Sequence, residues 1–135
     1  MIAAPVNLGD EATSQLKIWS TEPHARFNDQ ELTIMRLEGQ FYWHTHPDSD
    51  EMFLIIDGDV FVETREGSND ISEQSEAPLT SRWLRKGDVF VVPQGTAHRS
   101  AAPEGASVMF GLKKGALLFM KDDEKEPEDA GSPEW

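Results

Sequence analysis

The sequence predicts an all-β domain, folded as an antiparallel sandwich or barrel. Its apolar residues lie in short runs of four to nine residues that are rich in Val, Ile, Phe, Trp and Thr. Gly, Pro, Asp or Asn separates most of these runs, and no segment keeps the apolar period of 3.6 residues that an amphipathic helix shows. Many short strands at close spacing are typical of all-β sandwiches and barrels.

The predicted strands begin at Leu16 and follow one another closely along the chain. They are LKIWS, ELTIMRLEG, FYWHTH, EMFLII, DVFVET, RWLR, DVFVVP, AHRSA and SVMFGLK. Asp57-Gly58 lies between two apolar runs and predicts a two-residue β-hairpin, because a type I′ turn needs a positive φ at both positions. Pro93-Gln94-Gly95 predicts a second turn, with proline at its second position and glycine at its fourth. The polar segment 66–81 predicts an exposed, mobile loop.

Length and composition indicate a single domain with one hydrophobic core. The chain has 135 residues, of which 38% are hydrophobic and 27% are charged. We expect an N-terminal arm at residues 1–15, a barrel at residues 16–120, and an acidic, disordered tail at residues 121–135, where apolar residues are nearly absent. Trp135 ends that tail, either as an exposed terminal residue or as an anchor on a neighbouring subunit.

Charge and cysteine content exclude several functional classes. The formal net charge of −13 predicts repulsion from nucleic-acid phosphates and from anionic membrane surfaces, so we expect neither as a partner. The chain has no cysteine, which excludes disulfides, thiolate metal sites and cysteine nucleophiles. No apolar run approaches the roughly 20 residues of a membrane span. The N-terminus lacks the basic start and apolar stretch of a secretory signal, so we expect a cytoplasmic location.

Two histidines and a glutamate form a candidate metal site at residues 44–51. In a strand, the side chains of His44 and His46 project to one face with Cα atoms roughly 6.5–7 Å apart, close enough for both imidazoles to reach one ion. If EMFLII pairs antiparallel with FYWHTH, Glu51 faces the same interior and adds a carboxylate oxygen. His98 follows the second predicted turn, and a barrel can bring such a distant residue to the same interior as a fourth ligand.

Two motifs of this sequence resemble those of the cupin family. GQFYWHTHPDSDEMFLIIDG, residues 39–58, resembles the first cupin motif: a glycine, His-x-His, a glutamate and then another glycine. GDVFVVPQGTAH, residues 87–98, resembles the second: Gly, five residues, Pro-x-Gly, two residues and His. The sequence departs from the family pattern in two places. Four rather than five residues separate Gly39 from His44, and Ala102 stands where the family often has an asparagine. The resemblance covers residues from about 16 to 120.

The resemblance implies a double-stranded β-helix, which is a small jelly-roll barrel. The sequence resembles small single-domain cupins of the RmlC-like superfamily, which have this barrel and are often labelled mannose-6-phosphate-isomerase-like. It also implies one divalent transition metal ion per subunit, with four protein ligands: His44, His46, Glu51 and His98. Three imidazole nitrogens and one carboxylate suit Fe, Mn, Ni, Co or Zn, and ligand softness does not choose among these metals.

Other side chains are candidates for contacts near the metal. Tyr42 shares the predicted strand face of His44 and is a candidate catalytic residue, as a proton donor or cavity wall; the alternative is core packing. Gln40 lies on the same predicted face and is a second candidate, for a hydrogen bond to a ligand. His24 is either a surface histidine or a contact behind the metal ligands. Three arginines either bind an anionic substrate or balance acidic surface groups: Arg82, Arg85 and Arg99.

The leading functional hypothesis is a metal-dependent enzyme that acts on a small organic molecule. Four ligands in an octahedral shell leave two positions for substrate or water, and an apolar interior favours an organic ligand. The expected interior residues are Phe53, Ile55, Val89 and Val91. The reaction class stays open between dioxygenase, isomerase, decarboxylase and lyase. The alternative is a non-enzymatic cupin that binds or senses a metal or small molecule. EMFLII is apolar on both strand faces, which predicts a second covering layer or a homodimer.

Overall fold

The structure is a computed structural model that describes residues 2–14, 18–19 and 22–121 of the chain. Within these residues it contains one short helix and seven β-strands. In chain order they are α1 (Leu8–Thr13), β1 (Ala25–Phe27), β2 (Gln30–Gln40), β3 (Glu51–Gly58), β4 (Val60–Arg65), β5 (Leu79–Leu84), β6 (Val89–Val92) and β7 (Ala97–Lys113). The all-β prediction is therefore confirmed.

Parts of the predicted organisation lie outside the described residues. These parts are the acidic tail after Lys121, including Trp135, and three residues of the predicted strand LKIWS. The helix α1 lies in the predicted arm and was not predicted, and it has six residues, which is too short for a membrane span. The polar segment predicted as a loop is shorter than expected, because β5 begins at Leu79 and pairs with β4.

The strand β7 organises the sheet because its 17 residues are enough to pair with three other strands. All pairings between these seven strands are antiparallel, and the hydrogen-bonded order is β1-β2-β7-β3-β6, with β4 pairing both β7 and β5. Residues 97–101 of β7 pair with β4, and later residues pair with β2 and β3. One strand thus connects β4 and β5 to the rest of the sheet.

Two predictions are wrong because β7 is long: that AHRSA and SVMFGLK are separate strands, and that Asp57-Gly58 forms a hairpin. AHRSA and SVMFGLK belong to this single strand, because Gly105 adopts φ +81° within a bulge that shifts the register against β2 without ending the strand. Asp57-Gly58 forms no hairpin, because β3 and β4 each pair with β7 rather than with each other. Gly58 lies opposite Ala106 of β7 with φ +84°.

The core lies on the inner face of the sheet. Phe53 of β3 is 1% exposed, and the antiparallel register pairs it with Phe90, so these two residues share the inner face. The prediction that Val89 and Val91 line the interior is wrong: they are 60% and 48% exposed, because alternate residues of β6 face outward. Further buried apolar residues of the core are Leu37, Ile55, Val60, Val62, Leu84, Val92, Ala102, Ala106, Val108 and Phe110.

The helix α1 packs against β2 and β3. Asn7 caps the helix by accepting a hydrogen bond from the backbone N–H of Asp10. His24 connects β2 and α1. Its Nδ1 accepts a hydrogen bond from the backbone N–H of Ile34 in β2, and its Nε2 lies 3.6 Å from Oε2 of Glu11 in α1. The outward residues of β3 are half-buried: Met52, Leu54 and Ile56. The second layer or partner predicted to cover this face of β3 stays a prediction.

Candidate metal centre

Four buried polar side chains meet in the interior: His44, His46, Glu51 and His98. One candidate ligand atom from each lies within 4.8 Å of the others, and their exposed fractions run from 1% for His98 to 7% for His46. An ion that lies about 2.0–2.2 Å from its ligands separates opposite ligands by roughly 4.0–4.4 Å. Shifts of a few tenths of an ångström therefore suffice for this cluster to hold one ion, and it contains the residues that the resemblance implied.

A turn and two strand starts position Glu51 and His98. Glu51 is the first residue of β3, and His98 is the second residue of β7. The turn before β7 closes with a hydrogen bond of 3.1 Å from the N–H of Thr96 to the carbonyl of Pro93, and Gly95 has φ +75°. The predicted turn therefore forms, but proline takes its first position and glycine its third.

The segment that carries His44 and His46 is held by isolated contacts. The predicted strand FYWHTH does not form, since only His44 and Thr45 make bridges, to His98 and Phe119. His44 and His98 exchange two backbone hydrogen bonds of 3.0 Å each. The predicted pairing of this segment with β3 is also wrong, because β3 pairs with β6 and β7. Glu51 joins the histidines through the curvature of the barrel rather than through direct strand pairing.

Trp43 anchors this segment from the side opposite the histidines. It is 4% exposed, and the guanidinium carbons of Arg65 and Arg99 lie 4.1 and 4.9 Å from the centroid of its ring. Arg65 is itself buried and donates to the carbonyl of Asp70 at 3.0 Å. Arg99 pairs with Glu63 at 2.8 Å, so it balances an acidic residue in this structure.

Backbone carbonyls orient all three imidazoles of the cluster. The Nδ1 atoms lie 2.8–2.9 Å from one carbonyl oxygen each, His44 from Tyr42, His46 from Leu117 and His98 from Thr96. A carbonyl oxygen only accepts, so each Nδ1 carries the proton of its ring. In the neutral imidazole, each Nε2 is then a lone-pair acceptor that can ligate an ion.

Glu51 faces two of these nitrogens. His98 Nε2 lies 2.8 Å from Oε1, whereas His46 Nε2 lies 3.4 Å from Oε2 and has no hydrogen-bond partner among the described residues. A carboxylate oxygen and an unprotonated Nε2 are both acceptors. The contact at 2.8 Å therefore requires a cation, either a proton or a metal ion.

The charges within the cluster shift the pKa values of its members in different directions. Burial and the neighbouring His98 hold the pKa of His44 well below its ordinary value, which favours the neutral ring. Burial alone would lower the pKa of His46, but the carboxylate of Glu51 raises it. Burial alone would raise the pKa of Glu51, but contacts with His46 and His98 hold it far below its ordinary value. Glu51 is thus ionised and His44 neutral, as metal ligands must be, whereas His46 favours a proton that metal binding would displace.

A cavity of about 330 Å³ opens beside the cluster and borders His44, His46 and Glu51. Its apolar wall consists of Trp19, Met35, Phe41, Phe53, Phe110, Leu112 and Leu118. Its polar wall residues outside the cluster are Glu31, Thr33, Ser100 and Lys113. The chain after β7 closes one side through Gly115, Ala116 and Leu118. The same segment orients a cluster histidine through the carbonyl of Leu117.

Neither candidate catalytic residue lines this cavity. Tyr42 is half-buried and packs against the core, and Phe41 takes the wall position beside His44, with the two ring centroids 4.9 Å apart. Gln40 lies beside Arg99 and accepts from its guanidinium when the amide oxygen faces that group. Catalytic roles for Tyr42 and Gln40 stay predictions.

Two parts of the cavity wall were not foreseen from the sequence. Trp19 falls in a predicted strand, and nothing in that pattern distinguishes a wall residue from a core residue. The closing segment, by contrast, has a recognisable pattern, because Gly115 is followed by the apolar run ALLFM at residues 116–120. Alternate residues of this run differ in role, because Ala116 and Leu118 line the cavity whereas Leu117 and Phe119 are 60% and 59% exposed.

Comparison with known proteins places these features in a family. The family model described as Cupin matches residues 31–116. Among curated proteins, the uncharacterized protein YdbB of Bacillus subtilis is 29% identical over 84 residues, which cover 58% of this chain and 64% of that protein. Germin-like protein 8-2 of Oryza sativa is 36% identical over 55 residues, which cover 41% of this chain and 22% of that protein. The chain thus spans less than two thirds of the length of these relatives.

Solved structures share the same fold. A cupin-2 domain protein from Shewanella frigidimarina is 26% identical with a TM-score of 0.64, covering 78% of this chain and 91% of that chain. Hydroquinone 1,2-dioxygenase from Sphingomonas sp. TTNP3, solved with 4-hydroxybenzoate bound, is 20% identical with a TM-score of 0.62, covering 82% and 74%. The family match, the antiparallel barrel and the His₃Glu cluster together show that this chain belongs to the cupin family and has its double-stranded β-helix fold.

Proposed function

We propose that His44, His46, Glu51 and His98 bind one divalent transition metal ion per chain, and that the protein is a metal-dependent enzyme acting on a small organic molecule. One observation carries this proposal: three imidazoles and one carboxylate, all buried, each bring a candidate ligand atom within 4.8 Å of the others. The donor set of three imidazoles and one carboxylate suits Fe, Mn, Ni, Co or Zn.

The residues of the site have separable roles. When bound, the metal supplies a Lewis acid for an oxygen atom of the substrate. Backbone carbonyls hold the three imidazoles in the tautomer that leaves Nε2 free, and the buried Glu51 carboxylate offsets one positive charge of the ion. The apolar wall excludes water from the substrate's body, and the segment after β7 limits access from one side.

The ligand assignment is tested by metal content and by matched histidine variants. The purified protein, stripped and then dialysed against Zn²⁺, should retain one ion per chain. His46→Ala should lower the affinity for Zn²⁺ by at least about 100-fold, because losing a direct ligand costs more than the roughly 10–100-fold of losing a partner behind it. His24→Ala is the control, since His24 contacts α1 and β2, and it should leave the affinity unchanged. No affinity for any of the five metals would overturn the assignment.

The second candidate function is a binding or sensor cupin without turnover. It is favoured by the cavity wall, where Glu31 and Lys113 are the only ionisable side chains outside the cluster among the described residues. Glu31 is paired with Arg26 at 2.9 Å, so it is poorly placed as a free base. Oxygen uptake and product formation with catechols, keto acids and thiols separate the two functions. Turnover by the metal-loaded protein supports the enzyme, and metal binding without turnover supports the sensor.

We also propose a homodimer that forms through the outer face at β6. Val89 and Val91 are exposed on β6, which is an edge strand of the sheet. They pair with the half-buried Leu54 and Met52 of β3, and the four side chains make one contiguous apolar patch. Sedimentation at micromolar concentration should show a dimer, and Val91→Glu should convert it to a monomer. A wild-type monomer would contradict this.

Three expectations stay predictions from the sequence: the cytoplasmic location, the absence of nucleic-acid and membrane partners, and the mannose-6-phosphate-isomerase-like label.

A further inference from the structure

The cavity beside the metal cluster has walls that suit a flat apolar ligand. Three phenylalanines contribute to it, Phe41, Phe53 and Phe110, together with the indole of Trp19. Aromatic walls favour flat ligands because ring faces and edges pack at offset or perpendicular angles. A volume of about 330 Å³ is at the lower end of the range for small-molecule sites, which fits a ligand with one ring.

The charges of the cavity favour a ligand with a single negative charge. A divalent ion and the Glu51 carboxylate leave one positive charge at the metal site, which one anionic ligand group neutralises. A second negative charge would stay uncompensated against an apolar wall, where burial of an unpaired charge is costly. Among the described residues, Lys113 is the only lysine or arginine that lines the cavity, and it is exposed to solvent. The carboxylate of Glu31 would repel a second charge further.

Trp19 supplies a hydrogen-bond donor that no described residue uses. It is 7% exposed and lines the cavity, and its Nε1 has no hydrogen-bond partner among the described residues. Its backbone has φ +56°, a left-handed conformation that is costly for a bulky side chain and is often found at ligand sites. Its ring centroid lies 5.4 Å from that of Phe41, which in turn contacts His44 at 4.9 Å. The indole and the metal cluster thus border the same small cavity.

Building on the proposed metal site, we propose that the ligand is an aromatic monoanion. Its anionic oxygen reaches the metal, its ring packs against the three phenylalanines, and an acceptor atom on the ring accepts the N–H of Trp19. This class includes aromatic monocarboxylates and phenolates that carry a second oxygen. It excludes compact dianions such as oxalate, which have no apolar body, and sugar phosphates, whose many hydroxyls would lie unpaired against this wall.

The ligand class is tested by calorimetric titration of the Zn²⁺-loaded full-length protein, because Zn²⁺ is redox-inert and separates binding from turnover. The probes are 4-hydroxybenzoate, 4-methylbenzoate, oxalate and glucose 6-phosphate. The two benzoates should bind at least tenfold more tightly than oxalate and glucose 6-phosphate. Equal or tighter binding of oxalate or glucose 6-phosphate overturns the ligand class. Failure to take up Zn²⁺ would instead overturn the proposed function, so the two failures are distinguishable.

The role of Trp19 is tested by Trp19→Phe with the matched pair of benzoates, which differ in a hydroxyl against a methyl group of similar size. Loss of one hydrogen bond should weaken 4-hydroxybenzoate about tenfold and change 4-methylbenzoate by less than about twofold. Trp83→Phe, at a half-exposed position of β5, is the control and should change neither. Equal weakening of both ligands by Trp19→Phe would show that the indole only packs. The wild-type probe series decides the ligand class even if this variant does not fold.

Discussion

Replacing Glu51 by glutamine separates what the cluster does for metal binding from what it does for folding. The carboxylate is 6% exposed and faces His98 Nε2 at 2.8 Å and His46 Nε2 at 3.4 Å. Glutamine keeps the size of the side chain and removes its charge. Its amide can donate a hydrogen bond to the unprotonated Nε2 of His98, so the close contact no longer requires a cation.

Glu51→Gln should lower both the metal affinity and the stability of the metal-free protein, for separate reasons. The metal loses its one anionic ligand, so affinity should fall by at least about 100-fold, which is about 2.7 kcal/mol. The metal-free protein should also become less stable, by roughly 3–5 kcal/mol, because the histidine neighbours that lower the pKa of Glu51 stabilise its charged form and removing one partner of a buried charged pair is strongly destabilising. One isosteric change should therefore reduce both metal binding and stability, and the two losses can be measured separately.

Two assays measure these consequences on the same sample. Competition with a chelator of known affinity gives the Zn²⁺ dissociation constant, and urea unfolding of the metal-free protein gives the free energy of unfolding. Glu38→Gln, at an exposed position of β2, is the control and should change neither value. Zn²⁺ affinity within threefold of the wild type would refute the reasoning about the ligand. A loss of less than about 1 kcal/mol in the metal-free protein would refute the reasoning about the buried charge.

Two further predictions concern the elements that support the site, and urea unfolding measures both. Trp43→Leu removes a buried ring that contacts two guanidinium groups and should cost roughly 2–4 kcal/mol, whereas Trp83→Leu at a half-exposed site should cost less than about 1 kcal/mol. Equal costs would contradict the anchoring role of Trp43. Gly58→Ala should cost at least about 2 kcal/mol, because φ is +84° and a Cβ would lie 2.5 Å from a backbone oxygen of β7. Gly67→Ala has a similar φ and open space, so it should cost only about 1 kcal/mol, and an equal loss would show that the close approach is unimportant.

The features that depend on local chemistry were predictable from the sequence. Apolar runs and the residues that punctuate them predicted the all-β fold, and five of the runs overlap separate strands, β2 to β6. The Pro-x-Gly turn before His98 forms because glycine supplies the positive φ that the turn requires. The four residues of the cluster were selected by spacing and by resemblance, and the barrel brings them together.

The features that depend on strand register were not predictable in the same way. Strand alternation placed Tyr42 beside His44, but this segment forms no regular strand, so Phe41 takes the cavity wall. The inward face of β6 follows from its pairing with β3, which a sequence cannot reveal for a strand that is apolar on both faces. Because of that ambiguity, Val89 and Val91 were predicted to face the interior, whereas both face outward. The absent hairpin at Gly58 has a similar cause, since partner choice depends on the long strand β7.

The central claim is that three imidazoles and one carboxylate hold a single metal ion. X-ray absorption spectroscopy of the Zn²⁺-loaded protein at the zinc edge tests it directly, because imidazole rings give a distinctive scattering pattern. The account predicts one bound ion per chain, with three imidazole nitrogens and at least one oxygen at about 2.0–2.2 Å. A shell of oxygen atoms without imidazole scattering, or protein that retains no zinc after dialysis, would contradict it.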